Sequence, residues 1–280
     1  MRSGTKAALL MISAAFFLSL VPLAVQLVPA GAGVNTGTKL VARGFVAAAV
    51  TLVLLLKRKE SLISGKPRLL FLRSALGTIG MVLYFYALEH LPLSNTVTIN
   101  KLSPFFVILF SWMFLGEKLK AVQGAAIAVA FTGVALVAGP GSVSLSVAVW
   151  AALASAVFAG GAYATLRALR KYDTPLRVVF WFSMLTMLVF LPGAVRSGRF
   201  PAPEALVPLA GIGVAGVLGQ VLMTAAYRHA EGGKVAIYGY LSVVFSVFWQ
   251  ITVFGNTPSP AVLVGAALVM AAGWINYRFS

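Results

Sequence analysis

Lys101 is the residue in this chain whose type and position most clearly imply chemistry. It falls about eight residues into a mostly apolar segment that begins near Leu93, roughly 12 Å along a helix at 1.5 Å per residue. An ammonium at that depth in a bilayer costs at least about 2.5–3.5 kcal/mol unless it faces a wet cavity or a partner. Two readings follow: Lys101 lines a substrate path, or it is structural, bonding helix carbonyls freed by Pro104 or snorkelling outward. Asn100 and Asn95 add amide donors and acceptors to the same segment. Pro104 removes a backbone donor and bends the helix, which opens carbonyls to a cavity.

Other polar residues recur at helical spacing. Arg73, Gly77, Gly80 and Tyr84 mark one face of the third apolar segment, and Gly213, Gly216 and Gln220, followed by Thr224, mark one face of the eighth. A Gln deep in an apolar span needs a partner and so faces a cavity or another helix, whereas the glycines equally suit close helix packing. Ser19, Pro22 and Gln26 make a polar stripe in the first segment, and Tyr238 and Tyr240 stand in the ninth. The candidate substrate-binding set is therefore Lys101, Asn100, Asn95, Tyr84, Gln220, Tyr238 and Tyr240. Arg43, about six residues into the second span, can snorkel to the interface. Trp112, Trp249 and Trp274 suit interface anchors. Glu117 suits a turn, and His90 and His229 suit solvated helix ends.

The composition excludes several classes. Of 280 residues, 60% are apolar and 10% charged, against about 45–50% and about 25% in soluble domains. The formal charge of +16 would suit a nucleic-acid binder, but the mean hydropathy of +0.95 does not. With no Cys and two His, neither thiolate chemistry nor a metal cluster is expected. No G-x-x-x-x-G-K-[ST] loop occurs, so neither ATP-driven transport by this chain nor any cofactor is expected. The six acids, Glu60, Glu89, Glu117, Asp173, Glu204 and Glu231, all avoid span centres. That disfavours proton exchange through a central carboxylate and leaves Lys101 as a candidate protonatable group.

A spanning helix takes about 20 mostly apolar residues. Charged and Gly/Pro-rich breaks delimit ten such segments, near 7–28, 37–56, 68–89, 93–115, 121–139, 145–168, 176–195, 205–227, 234–254 and 260–278. The first has the basic flank of a signal peptide but is longer than an h-region, and is read as a span. With a cytoplasmic N-terminus, 16 of the 22 Lys and Arg fall in cytoplasmic segments and only Arg196 and Arg199 in the opposite loops. This bias predicts ten spans with both termini cytoplasmic.

An offset of 139 aligns 84–117 with 223–256 without a gap, pairing Ala87 with Ala226, His90 with His229, Leu102-Ser103 with Leu241-Ser242, Phe106 with Phe245 and Gly116 with Gly255. Lys101 then corresponds to Tyr240, setting a phenol opposite an ammonium. Five spans is an odd number, so the second repeat enters the membrane in the opposite sense, an architecture recurrent among secondary transporters. The expected fold is an all-α polytopic membrane protein of ten helices in two inverted five-helix repeats, 1–140 and 141–280.

The stretch Leu91-Pro92-Leu93-Ser94, then Asn100-Lys101-Leu102-Ser103-Pro104-Phe105-Phe106, closed by Phe114-Leu115-Gly116-Glu117-Lys118-Leu119, resembles the fourth-helix signature of the drug/metabolite transporter superfamily, and within it the EamA family of ten-helix bacterial metabolite transporters. Arg43, Gly77, Gly80 and Gly265 also stand where that family has such residues. Where the family often has Pro and Glu in the second repeat, this chain has Val243 and Asn256, which puts the bend of the ninth helix in question. The resemblance implies a transporter in the bacterial inner membrane. A cationic, amide-lined path without an opposing acid suits small zwitterionic or anionic metabolites such as amino acids. A lipid flippase and an integral-membrane enzyme are the alternatives; scattered acids and histidines disfavour the enzyme. The expected partners are a small-molecule metabolite and the lipid bilayer, with no nucleic acid, and a monomer is compatible with the sequence.

Overall fold

The computed structural model describes residues 3–115, 119–139, 146–169, 171–196, 198, 200–229 and 237–279. Arg2, Glu117, Lys118, Arg170, Arg199, Glu231 and Lys234 lie outside these, as do the side chains of Arg228 and His229. The described chain is helical: α1 Ser3–Gln26, α2 Thr36–Lys57, α3 Pro67–His90, α4 Leu93–Asn100, α5 Ser103–Leu115, α6 Ala121–Ala138, α7 Val147–Leu169, α8 Pro175–Arg196, α9 Pro203–His229, α10 Leu241–Thr252 and α11 Pro260–Phe279. Among the described residues, nine segments are long and apolar enough to cross a membrane, with Leu93–Phe114 counted as one. A shorter apolar helix, Ile237–Thr252, covers the ninth expected span.

Local chemistry sets the helix ends. α3, α8, α9 and α11 each begin with a proline, which suits a first turn where no amide hydrogen is needed. Asn35 caps α2, its side-chain oxygen accepting from the Thr38 amide at 2.8 Å. Gly139 closes α6 at φ 75°, a backbone geometry that glycine adopts without strain.

The fourth segment is the exception to one helix per span. α4 stops at Asn100, and the amide of Lys101 is shared between the carbonyls of Val97 at 3.2 Å and Thr98 at 3.1 Å. The Leu102 amide then bonds Ile99 at 3.0 Å, a tightened turn, and α5 opens with Ser103-Pro104. Pro104 has no amide hydrogen for the Asn100 carbonyl, so the ladder is interrupted where the sequence requires it. In the ninth segment Ile237–Gly239 is helical, Tyr240 forms a turn, and α10 follows. The break recurs at the position equivalent to Lys101, although Val243 replaces the proline.

The main helix pairs are α1 with α9, α2 with α8, α3 with α7, and α6 with α11. Exchanging each span of the first half with its counterpart in the second leaves this set of pairs unchanged. α6 and α11 meet through glycines: a Cβ on Gly133 would lie 2.6 Å from the Gly265 carbonyl oxygen, and a Cβ on Gly265 would overlap the Gly133 carbonyl. Small residues of this kind let helix backbones approach closely in lipid. Large apolar side chains such as Phe45, Phe71, Phe114 and Trp150 cover the outer surface, while Arg43, Arg73, Gln220 and a set of Ser and Thr are buried within. This is the inverse of a soluble protein. Trp112 and Trp274 are half exposed, and Trp249 is partly buried. Its indole donates to Ser19 Oγ at 3.1 Å, joining α10 to α1.

Candidate substrate cavity

A cavity of about 120 Å³ lies among α1, α2, α3, α4, α7, α8, α9 and α10. By the same measure, at about 10–15 Å³ per water, it holds on the order of ten waters, or one small metabolite. Lys101 stands at one side of it, immediately after the end of α4. The break places its side chain there, and α7 supports the break from behind. Asn100 Nδ2 donates to Ser155 Oγ at 2.8 Å, and that hydroxyl donates to the Ala152 carbonyl at 2.7 Å. Gly160 of α7 admits the start of α5, since a Cβ there would lie 3.0 Å from the Ser103 carbonyl oxygen. Across the gap, Lys101 Nζ lies 4.0 Å from where a Cβ on Gly239 would stand.

Two arginines also line the cavity. Arg43 of α2 and Arg73 of α3 are each 2% exposed, and both guanidiniums rest on the ring of Phe182 in α8, at 5.4 and 5.0 Å from its centroid. Nε and Nη1 of both are buried without a hydrogen-bond partner. Glycines make room for them. A Cβ on Gly216 would lie 3.1 Å from Arg43 Nε, and one on Gly77 would overlap Arg73 Nη1 and stand 2.9 Å from the Phe182 ring. Gly80 and Gly213 do the other work expected of small residues: the first admits the α7 backbone, the Ser155 carbonyl oxygen at 3.3 Å from its would-be Cβ, and the second admits Val46 at 2.6 Å. Thus two of these glycines seat cations and two seat neighbouring helices.

Of the residues singled out from the sequence, Lys101, Asn100, Tyr84 and Gln220 line this cavity together. Asn95 does not. One and a half turns before Lys101, it donates to the Val137 carbonyl at 3.1 Å and borders a second cavity of about 510 Å³ with Gln26, Gln250 and Asn256. Tyr238 packs beside Met11 and Met223 in the cluster between α1 and α9. Tyr240, 5% exposed, lies in the core, and a Cβ on Gly273 of α11 would overlap its ring. The repeat therefore aligns the backbone of Tyr240 with Lys101 but sends its ring toward α11, while Gly239 stands near the ammonium. Arg43 faces the cavity and does not snorkel to the interface. Tyr163 and Phe182 also line it. Neither was distinguishable in the sequence from other aromatic residues facing lipid.

No carboxylate borders the cavity among the described residues. Glu89 and Asp173 are taken up elsewhere, by Lys39 and Arg177, at 2.8 and 2.9 Å. The described residues also hold no cluster of three or more potential metal ligands. The arrangement offers three cations, two amides, two phenols and hydroxyls around one cavity, which suits solute binding.

Comparison with known proteins agrees with this. The sequence model of the EamA-like transporter family matches residues 5–139 and again 146–278. The pseudopaline exporter of Pseudomonas aeruginosa is 35% identical over 212 residues, 74% of each chain. A riboflavin transporter of Brucella anthropi is 29% identical over 261 residues, 89% of this chain and 92% of that one. A solved crystal structure at 20% identity superposes with a TM-score of 0.72 over 98% of this chain and 96% of its own, and so shares the fold. The chain thus belongs to the EamA-like transporter family and is a multi-pass membrane transporter, not an enzyme.

Proposed function

We propose that the protein is a secondary transporter of small polar metabolites, amino-acid-like and zwitterionic or anionic, which bind in the central cavity and cross the bacterial inner membrane by alternating access. The observation that carries the substrate class is the charge of the cavity wall: Lys101, Arg43 and Arg73 line it and, among the described residues, no carboxylate does. Cations inside a membrane mark substrate paths when they face a cavity and lack a protein partner. That two relatives are named a pseudopaline exporter and a riboflavin transporter supports a small-molecule metabolite as cargo.

Alternating access follows from the architecture in this proposal. The two halves, 1–140 and 141–280, form inverted five-helix repeats, and rocking one against the other exposes a fixed site to each side in turn. The exchange symmetry of the helix pairs and the breaks at Lys101 and Tyr240 support it. Both termini are cytoplasmic, as the distribution of Lys and Arg requires. A reporter fused after Ser280 should be active only in the cytoplasm; activity outside would overturn the orientation.

Lys101 is the test of the site. Lys101→Met keeps the length and removes the charge, so saturable transport in proteoliposomes should be abolished while the purified protein still folds. Lys101→Arg should keep partial function, because the cation persists with a bulkier head. Unchanged affinity and transport in the Met variant would remove Lys101 from the site and with it this substrate class.

A further inference from the structure

We infer that Arg43 and Arg73, held on the ring of Phe182, form a second anion subsite separate from Lys101, and that the transported metabolite carries two acidic groups, one for each side of the cavity. The inference rests on the central cavity being the substrate site and adds the charge its cargo must bear.

The two guanidiniums are not structural in the way of the other buried arginine whose bonds are defined. Arg177 is 9% exposed, donates through Nε to the Ser61 carbonyl at 2.7 Å and through Nη1 to Asp173 at 2.9 Å. Arg43 and Arg73 are more deeply buried, yet Nε and Nη1 of each bond nothing. Phe182 supplies a face for both but no acceptor lone pair, so the forks keep free in-plane donors. A planar fork of this kind matches a carboxylate or phosphate through two parallel hydrogen bonds. Gly77 and Gly216 hold space for these side chains where any Cβ would press on them.

Lys101 belongs to a different wall. It follows α4 and approaches Gly239, whereas the arginines come from α2 and α3 and meet α8 and α9. Tyr84, Tyr163 and Gln220 also border the space, offering polar groups to a body between two charged ends. A solute with a single acidic group leaves the cations of one of these walls without an acidic partner. One with two acidic groups matches both.

Isosteric pairs that differ by one charge test this: L-glutamate against L-glutamine and L-aspartate against L-asparagine, with O-phospho-L-serine as a phosphate-bearing probe. Binding to the purified full-length protein is measured by calorimetry. If the subsite exists, wild type binds the diacid of a pair at least about tenfold more tightly than its amide, the effect of one desolvated charge pair. Arg43→Gln and Arg73→Gln should each bring that ratio toward one by weakening the diacid more than the amide, whereas Lys101→Met weakens both members alike and leaves the ratio in place. Tighter binding of O-phospho-L-serine than of L-glutamate, lost in the same arginine variants, also supports the subsite and assigns it to phosphate. Wild-type ratios near one, with Lys101-dependent binding of the amides intact, overturn the second subsite and leave the proposed function standing. Failure of every probe to bind saturably counts against both. The wild-type ratios need no variant, so a misfolded arginine mutant does not block the test.

Discussion

Arg177 and Arg43 are the same side chain on two helices that pack together, α8 and α2, and the fold treats them oppositely. Near one end of the bundle, Arg177 is held by Asp173 and the Ser61 carbonyl, Ser64 Oγ donates to the other Asp173 oxygen at 2.6 Å, and the Trp181 indole reaches Leu62 at 2.9 Å. Together they fasten the α2–α3 connection to the start of α8. At the other end of α2, Lys39 and Glu89 join α2 to α3 in the same way. In the centre, Arg43 and Arg73 have a ring beneath them and unmatched donors. Two of the four described carboxylates, Glu89 and Asp173, thus fasten connections, whereas Nε and Nη1 of the central arginines have no protein partner. Uncompensated polar groups of this sort conflict with stability alone and point to function.

The largest test of this contrast removes a central cation. Arg43→Met deletes the charge, keeps the apolar stem and leaves no acid unpaired. Its stacking on Phe182 is worth about 0.5–2 kcal/mol, less than the about 2.5–3.5 kcal/mol that an unpartnered cation costs inside the membrane on insertion scales. The variant is therefore expected to melt at or above the wild-type temperature while transport falls on the order of a hundredfold, as when one partner of a desolvated charge contact is lost. Melting curves and proteoliposome flux measured on one preparation decide it. A lower melting temperature with wild-type flux would make Arg43 a structural residue and erase the difference between centre and end.

How much of this was legible in the sequence differs by kind of information. Spans announce themselves because each needs a run of apolar residues and each turn collects charge, so the helices fall within a few residues of the expected segments. Depth along a span is also legible, and it brought Lys101, Asn100, Tyr84 and Gln220 forward. Which way a side chain points is not. Arg43 reads as a snorkelling anchor because its distance from the span end says nothing about the helix face it occupies. Tyr240 aligns with Lys101 by the repeat, yet the turn there directs its ring to Gly273. Gly77 and Gly80 lie three residues apart on one face and look alike as packing residues. Only the fold shows that one seats a guanidinium and the other a backbone. Phe182 carried no signal at all among 19 phenylalanines.

The smaller test acts at the matched end. Asp173 is fully buried in its side chain and Arg177 nearly so, so Asp173→Asn preserves size and one acceptor while withdrawing the charge that answers Arg177. Breaking a buried pair from one side leaves an uncompensated ion and costs about 3–5 kcal/mol. Arg177 keeps its bond to the Ser61 carbonyl, which places the expected loss near the lower end, about 3 kcal/mol. The melting temperature should fall clearly, and more than for any central substitution. Because Asp173 and Arg177 lie outside the cavity lining, solute affinity of the protein that remains folded should stay at the wild-type value. Arg177→Met made together with Asp173→Asn should recover part of the lost stability, since the stranded cation is then gone. No such recovery would mean that Asp173 acts mainly through Ser64 and the α2–α3 connection and that the ion pair itself contributes little. The contrast between paired ends and unpaired centre would then rest on hydrogen bonding and not on charge.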